Sequence, residues 1–420
     1  MSGRITTGDQ MHVYGCFACG IDYTVRVKVV LDDKIDPDLL KCAVKNAGER
    51  FPYLGGRLQK DSTHYYYEDN PEPISVINTC DRIELGTAMT GYHVWAVCYF
   101  ENTVYLDCFH GATDGNGLYR LLATILYYYC DRRYGGISDK GIMLLGDEPD
   151  TKEISDPLDS LPEIDLSTIP QPVYEQAFTL ETDGGLTPSD PTIWDVEIPE
   201  DEFVKFTSHN DSSPGTMISL LFARAIDGLY PERDKEIISS YVVNARPMLG
   251  AKETIHNCLS MVIMKYEEKI RKLPFVTQCT VYRGKTFIQS DPDAIRSALT
   301  VNANYIRAVD RMETLEEKEK IYGQMFAAGE GYITYLVSYI GRWPHKDIGE
   351  HIKGLYPHPP NTFSLMSIVS AAGGKIYMSV QQRFKEDSVR EAFLKQLEMN
   401  GISYNIVSKI DTDIARFEGV

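Results

Sequence analysis

The residues best suited to chemistry in this 420-residue chain form the segment Phe109-His110-Gly111-Ala112-Thr113-Asp114-Gly115. A run of β-branched and aromatic residues ends at Phe109 and an amphipathic pattern follows, so the segment joins a strand to a helix. An imidazole at a strand end, with an ordinary pKa near ~6.5, can take a proton from an alcohol or amine at neutral pH. Asp114 would favour the helix N-terminus and, if buried, would need a cationic partner.

Other interpretations of the histidines and cysteines stay open at this point. His110 would also fit a structural role beside Asp114 as a simple helix cap. Cys108 shares a strand face with His110 and allows a Cys–His nucleophile, although a small buried thiol is the commoner role. The Cys16-x-x-Cys19 pair has no second pair of metal ligands near it, and nine irregularly spaced cysteines predict free thiols. The later histidines His345, His351 and His358 are expected in loops rather than in a metal site.

The elements that would position the segment alternate between strands and helices. Those predicted in the first part of the chain are a strand at 24–31, a helix capped by Asp36 that stops before Pro52, a hairpin of 93–100 and 103–109, and a helix over 114–130. Those predicted later are a strand at 194–198, a helix at 216–229, a strand at 237–244, a hairpin of 363–369 and 375–384, and a helix over 388–397.

A hairpin followed by a helix thus occurs twice, which predicts an α/β (α+β) fold of two similar mixed-sheet lobes packed together. The ligand site is then expected in the cleft between them. Acids and prolines dominate residues 147–172 and predict a solvated crossover between the lobes. We predict a first lobe at 1–165, a linker at 166–192 and a second lobe at 193–420.

Composition limits the kinds of partner. Lys plus Arg number 42 and Asp plus Glu number 60, giving a net charge of −18 that would repel nucleic acids and anionic membranes. No run approaches the ~18 consecutive apolar residues of a membrane span, and the first residues lack an apolar signal core. A cytoplasmic protein with no nucleic-acid partner is therefore expected.

The segment from Phe109 to Gly115 resembles the HxxxDG motif of acyltransferases with the chloramphenicol acetyltransferase-like fold, which include condensation domains and alcohol acetyltransferases. Further segments resemble the same superfamily in the expected order, namely 36–40, 50–58, 243–247, 338–341 and the closing hairpin with its helix. The resemblance covers most of the chain. It implies two lobes with the active site in a tunnel at their interface.

The resemblance also implies roles for the residues that match. His110 would be the general base, Asp114 and Arg246 would form a structural ion pair, and Gly115 would keep the substrate passage open. The implied reaction is direct attack of an alcohol or amine on an acyl-coenzyme A thioester, without an acyl-enzyme. No tightly bound cofactor and no metal are implied.

Two polar residues are weaker candidates. Ser338 and Asn257 fall in segments where the family places polar cleft residues, so they are candidates for oxyanion or substrate contact. Ordinary loop or cap roles would fit them as well. Basic residues that could receive the phosphates of coenzyme A are clustered as Lys265, Lys269, Arg271, Lys272, Arg283 and Lys285, although a solvated face would give the same pattern.

Phe109 departs from the condensation-domain pattern, in which two histidines are usually adjacent. A stand-alone acyltransferase therefore fits better than a peptide-forming domain. Two alternatives are kept. In one the acyl group comes from a phosphopantetheinyl carrier protein, and in the other a non-catalytic member of the family binds a carrier or partner.

Overall fold

The computed structural model of the chain describes residues 3–21, 23–170 and 174–411, and for Glu330 its backbone alone. The helices are α1 (Thr7–Cys19), α2 (Pro37–Arg50), α3 (Gly115–Tyr134), α4 (Thr151–Ile154), α5 (Glu200–His209), α6 (Pro214–Leu229), α7 (Arg246–Leu249), α8 (Glu268–Arg271), α9 (Phe275–Gln289), α10 (Pro292–Asp310), α11 (Leu315–Glu330), α12 (Lys346–Glu350) and α13 (Ser388–Met399). The strands are β1 (Gly3–Arg4), β2 (Thr24–Leu31), β3 (Arg57–Lys60), β4 (Tyr65–Glu68), β5 (Val76–Asn78), β6 (Trp95–Phe100), β7 (Thr103–Phe109), β8 (Pro188–Pro199), β9 (Ile237–Asn244), β10 (Leu259–Tyr266), β11 (Tyr335–Arg342), β12 (Ile352–His358), β13 (Leu365–Ala372), β14 (Lys375–Phe384) and β15 (Asn405–Asp411).

Two mixed sheets organise these elements, which confirms the predicted mixed α/β fold. The first has the order β12-β2-β7-β6-β5 and the second the order β10-β9-β11-β13-β14-β8-β15, while β1, β4 and β3 form a small third sheet. Helices α2 and α3 pack on the first sheet, and α6 and α13 pack on the second, so that each large sheet has its own apolar core.

Local sequence explains why the elements beside the site begin and end as they do. The Asp36 carboxylate accepts from the backbone N–H groups of Asp38 and Leu39, and Pro37 takes the first helical position of α2. The β13–β14 hairpin turns at Gly373 and Gly374, whose φ angles of 55° and 79° need residues without a Cβ. The two predicted hairpins and the helices that follow them are confirmed.

One strand of the first sheet comes from far along the chain. β12 pairs antiparallel with β2, with His358 opposite Arg26, so residues 352–358 form an edge strand of the first sheet. The same strand is tied to the second sheet, because the Tyr356 hydroxyl donates to Glu197 over 2.6 Å. The predicted boundaries at 165 and 193 stay a prediction, and residues 171–173 and 412–420 lie outside the described residues.

The prediction that residues 147–172 form a solvated crossover is wrong for part of the segment. Glu153 is 2% exposed and accepts two hydrogen bonds of 2.8 Å from the Arg50 guanidinium. Asp156 is also buried and accepts from the backbone N–H of Gly8 over 2.6 Å. Because a buried carboxylate needs partners, these contacts fix the segment against α2 and α1 instead of leaving it in solvent.

Helix α1 was not predicted, since the sequence was interpreted as opening with the strand 24–31. Its apolar residues do not follow a helical period, and two glycines lower its intrinsic helix propensity. Tertiary contacts compensate, because Gly8 N–H donates to Asp156 and Thr7 N–H donates to Asp159 over 3.2 Å. Acidic residues from another part of the chain thus accept hydrogen bonds from the free backbone N–H groups in the first turn of the helix.

Candidate functional site

His110 stands immediately after β7, the central strand of the first sheet. All seven residues of β7 are buried, whereas His110 is partly exposed. The histidine therefore lies where the central strand leaves the core. Its backbone N–H donates to the carbonyl of Tyr23 over 2.9 Å. The chain then turns through residues 111–114 and enters α3, as the sequence predicted.

Asp114 makes two kinds of interaction at the start of α3. One carboxylate oxygen caps the helix by accepting from the N–H groups of Asn116 and Gly117, at 3.0 and 3.1 Å. The carboxylate also receives both ends of the Arg246 guanidinium, at 2.7 and 2.8 Å. The two residues are only 4% and 2% exposed, so the charges are removed from water together. The cap and ion-pair interpretations of Asp114 therefore hold at once.

Electrostatics of this pair follow from its burial. Desolvation acts to raise the pKa of Asp114, but the Arg246 guanidinium and the N–H of Cys258 outweigh it and hold that pKa below its usual range. Arg246 in turn donates to the carbonyls of Thr254 and His256, at 3.0 and 2.8 Å. These hydrogen bonds hold the loop 254–258, from the second half of the chain, against the segment that contains Asp114.

Asn257 is placed beneath His110 rather than in an open cleft. Its amide nitrogen donates to the carbonyl of His110 over 2.8 Å and to Asp9 over 2.7 Å, so both amide hydrogens are used. Asp9 lies on α1 and also contacts a ring nitrogen of His256 over 2.6 Å. Burial acts to lower the pKa of His256, but the Asp9 carboxylate raises it to about 9. The backbone of His110 is thus held by α1 and by the loop 254–258.

A second histidine, which the sequence analysis missed, lies against His110. His12, on α1, stacks on the His110 ring with centroids 4.5 Å apart and planes 19° from parallel. The Tyr23 ring meets both imidazoles edge-on, at 5.5 and 6.2 Å. No local pattern marks His12, because its helix lacks a helical period and its partner is 98 residues away in the sequence.

Gly115 lies close to β11 of the second sheet, the strand that also carries Ser338. A Cβ on Gly115 would lie 3.2 Å from Cδ1 of Ile340, so the gap between α3 and β11 is narrow at this residue. Ser338 is partly exposed on β11 and shares a strand face with Leu336 and Ile340. Leu336 belongs to a small apolar cluster with Met366 and Ile368, and Ser338 lies opposite Ile368 where β11 pairs with β13.

The alternative chemistry of the cysteines is not favoured by the structure. Burial raises the pKa of the Cys108 thiol well above its ordinary value, and its Sγ lies 3.6 Å from the carbonyl of Phe109. Cys16 is buried and Cys19 is exposed. Over residues 3–21, 23–170 and 174–411, no group of three or more His, Cys, Asp or Glu is arranged to hold a metal ion.

The later histidines have structural partners. His358 was expected in a loop, and this is wrong, because it lies in β12, where it is buried and contacts Asp195 over 3.1 Å. His351 contacts Asp32 over 2.8 Å. His358 in β12 and His351 just before it each contact an acidic residue from another part of the chain. These contacts join β12 to the neighbouring elements.

The basic stretch is electrically compensated. Each of its six side chains has a neighbouring acid, in the pairs Lys265–Glu175, Lys269–Glu267, Arg271–Asp227, Lys272–Glu268, Arg283–Asp211 and Lys285–Glu267. This favours the solvated-face interpretation over a ready-made phosphate site. A cavity of about 1000 Å³ lies elsewhere, between α2 and residues 69–76, and its lining includes none of the site residues described above.

Comparison with solved structures identifies the architecture. Over 97% of its length the chain matches all of TRI101 from F. sporotrichioides, solved with coenzyme A and T-2, with a TM-score of 0.64 and 11% identity. It matches 94% of TRI3 trichothecene 15-O-acetyltransferase from Fusarium sporotrichioides over 95% of its own length, with a TM-score of 0.61 and 12% identity. The chain has the chloramphenicol acetyltransferase-like fold.

That fold is shared with parts of much larger enzymes. The nonribosomal peptide synthetase FmoA3 matches 96% of this chain over 42% of its own length, with a TM-score of 0.58 and 14% identity. No protein-family model and no curated protein sequence matches the chain. Among the residues that the structure describes, no helix is long and apolar enough to cross a membrane. The chloramphenicol acetyltransferase-like fold therefore rests on three-dimensional likeness.

Proposed function

We propose that the protein is an acyltransferase that moves an acetyl or longer acyl group from a coenzyme A thioester to an alcohol or amine. The observation that carries the proposal is the position of His110. His110 follows the central strand of the first sheet, its carbonyl accepts from Asn257 in the second half of the chain, and the turn after it is held by the buried Asp114–Arg246 pair. Such an arrangement would hold a base still at a site to which both halves of the chain contribute.

His110 is suited to act as a base near neutral pH. Burial lowers its pKa, while its own backbone carbonyl and the Asp114 carboxylate act to raise it, and the net result is a pKa below 6.5. The ring is therefore neutral at pH 7. The proposed reaction requires the proton of the neutral ring on Nδ1, the ring nitrogen next to the backbone, so that Nε2 has a free lone pair.

The reaction follows from that lone pair. Nε2 of His110 takes the proton of the acceptor hydroxyl or amine as the acceptor oxygen or nitrogen bonds to the thioester carbon. The carbonyl oxygen becomes an oxyanion. When the adduct collapses, the carbon–sulfur bond breaks and the thiolate receives the proton from His110. An ester or amide and free thiol are formed, and no acyl-enzyme is needed.

The remaining site residues have positioning roles in this proposal. Asp114 and Arg246 shape the turn and do not touch the substrate, since the salt bridge is buried. Asn257 fixes the carbonyl of His110, because both of its amide hydrogens are already donated. Gly115 would keep a substrate passage open beside Ile340, because a Cβ at this position would lie 3.2 Å from Cδ1 of Ile340. Ser338 stays a candidate for substrate contact from the opposite wall.

A carrier-protein donor is the second candidate. The fold of the chain is also found within the synthetase FmoA3, which supports a phosphopantetheinyl thioester as an alternative donor. Compensation of the basic stretch leaves no strong preference for the nucleotide part of coenzyme A. A non-catalytic binding protein of the same fold is the third possibility. The expected cytoplasmic location stays a prediction.

The proposal is tested by thiol release from a panel of acyl-coenzyme A donors with mixed alcohol and amine acceptors. Wild type is compared with His110→Ala, and with His209→Ala as a control on the exposed end of α5. Loss of the base is expected to lower the rate about 10²- to 10⁴-fold, with thermal melting unchanged. Release that needs an acceptor and His110 supports the proposal.

Other outcomes separate the alternatives. Turnover only with a carrier-bound thioester would replace coenzyme A as donor. A folded wild type that releases no thiol from either donor would contradict the enzyme proposal. In that case His110→Ala is expected to leave the affinity for a carrier protein unchanged.

A further inference from the structure

The proposed reaction lacks an assigned donor for the oxyanion, and the interior of the site narrows the choice. Asn257 was a candidate, but its two amide hydrogens are taken by Asp9 and by the carbonyl of His110. An oxyanion donor must be free, fixed in place and close to the base, because both act on atoms bonded to one carbon. The ring of His12 stacks on His110 and is a side chain of suitable type.

His12 is held rigidly although it lies on an amino-terminal helix of poor intrinsic propensity. Asp9, one turn earlier on α1, accepts from the backbone N–H of Asn257 over 3.1 Å as well as from its side chain. The start of the helix is bonded to Asp156 and Asp159 of the segment after α4. Stacking of His12 on His110 then fixes the ring itself, with a centroid separation of 4.5 Å.

The hydrogen-bonding state of His12 can be deduced from its surroundings. Its Nδ1 is buried and has no hydrogen-bond partner within the described part of the chain. Nδ1 of His110 also lacks a hydrogen-bond partner, but the His110 backbone contributes to the pKa of that ring, whereas no backbone acceptor contributes to the pKa of His12. Because a buried N–H without an acceptor is rarer than a buried bare acceptor, we place the proton of His12 on Nε2. The residue keeps partial exposure, and Nε2 is the ring nitrogen not enclosed in this way.

Charge on His12 is also fixed. Burial lowers its pKa to about 3, and the neighbouring His110 acts in the same direction, while Asp9 and Asp114 oppose this weakly. His12 is therefore a neutral imidazole throughout the range in which His110 could work as a base. A neutral ring can donate a hydrogen bond without competing with His110 for the acceptor's proton.

We infer that His12 is a second catalytic residue, whose Nε2–H donates a hydrogen bond to the thioester oxygen as negative charge develops on it. This inference rests on the proposed function. No bond to His12 is made or broken, since the proton still travels from the acceptor to His110 and on to the departing thiolate. The two stacked imidazoles then have opposite tautomers, one with a free lone pair on Nε2 and the other with a hydrogen there.

The first test measures the tautomers without substrate. Nitrogen NMR of protein labelled with ¹⁵N-histidine, assigned with His12→Phe and His110→Ala, is expected to show His12 protonated on Nε2 and unchanged between about pH 5 and 8. His110 is expected to carry its proton on Nδ1. A His12 ring protonated on Nδ1, or one that titrates in this range, overturns the inference.

The second test separates a donor from a packing residue. His12→Phe keeps a stacking ring but removes the N–H, so kcat is expected to fall about 10²- to 10³-fold, with the KM for acyl-coenzyme A and the melting temperature near wild type. His12→Gln can place an amide N–H near the position of Nε2, whereas His12→Asn reaches only the position of Nδ1. Partial recovery with Gln and none with Asn is expected, and His209→Phe is the control for the substitution itself.

The outcomes distinguish this inference from the proposed function. Turnover that depends on His110 but is unchanged in His12→Phe overturns the inference alone. A fall in melting temperature in step with kcat, or a rise in KM without loss of kcat, assigns His12 a structural role and also overturns it. A wild type that transfers no acyl group overturns the proposed function and with it this role of His12.

Discussion

Substitution of Arg246 tests how much the buried Asp114–Arg246 ion pair contributes to the stability of the fold. In Arg246→Met the apolar stem of the side chain is kept, but Asp114 is left as an uncompensated charge that is 4% exposed. Breaking a buried pair in this way costs about 3–5 kcal/mol, or roughly 10²- to 10⁴-fold in the unfolding equilibrium. Since whole domains are stable by about 5–15 kcal/mol, the loss is a large part of the total.

Urea unfolding followed by tryptophan fluorescence measures this cost, and a matched surface pair provides the control. Arg311 and Glu163 lie 2.8 Å apart, as the partners in the buried pair do, but their side chains are 67% and 72% exposed. Arg311→Met is therefore expected to change stability little. Equal effects of the two substitutions would refute the conclusion that burial gives the Asp114 pair its weight.

A double-mutant cycle makes the same prediction sharper. Asp114→Asn retains a good helix cap but leaves the guanidinium without its counter-charge. The double variant with Arg246→Met carries neither buried charge, so it is expected to be more stable than the sum of the single effects predicts. The depressed pKa of Asp114 stabilises wild type above the unfolded carboxyl pKa near ~3.9, and this contribution is lost as pH falls below that value. Strict additivity, or an unchanged acid limb in Arg246→Met, would contradict the assignment.

Three further predictions concern the same site. The lowered pKa of His110 predicts that the acid limb of kcat/KM has its midpoint below pH 6.5, and a midpoint above pH 7 would contradict the neutral-base proposal. Gly115→Ala puts a Cβ 3.2 Å from Ile340, so steady-state kinetics are expected to show a raised KM that Ile340→Val partly restores. The pKa of His256, raised to about 9 by Asp9, gives stability that is full below pH ~6.5 and lost as pH rises through about 9. Thermal melting should show this loss in wild type but not in His256→Asn.

Local patterns in the sequence were enough to single out His110, Asp114 and Arg246 as candidates, because each pattern lies within one element. A strand end, an Asp at a helix start and an Arg after a later strand are visible one at a time, and the resemblance supplied their pairing. The structure places the Arg246 guanidinium 2.7 Å from Asp114. The same local logic gave the cap of α2 and both hairpins.

Features that depend on tertiary contact were missed or misjudged. Helix α1 has no helical period of apolar residues, so only the acids that bind its first turn reveal it. Glu153 was assigned to a solvated crossover because acids in a row usually face water, yet Arg50 on α2 buries it. His12 was overlooked for the same reason, since nothing within α1 shows that its partner is the motif histidine.

The contacts around His110 imply that the site is assembled by the whole chain rather than by the segment that carries the motif. Its carbonyl is held by Asn257, its ring by His12, and the turn after it by Arg246. Each of these residues belongs to a different element, and Asp9 joins the first two of them. A side chain positioned by several distant contacts has little freedom to rotate, which is the preorganisation that the proposed general-base role of His110 would need. In the proposed function the motif supplies the reactive group, whereas the position of that group is set by residues that the motif does not contain.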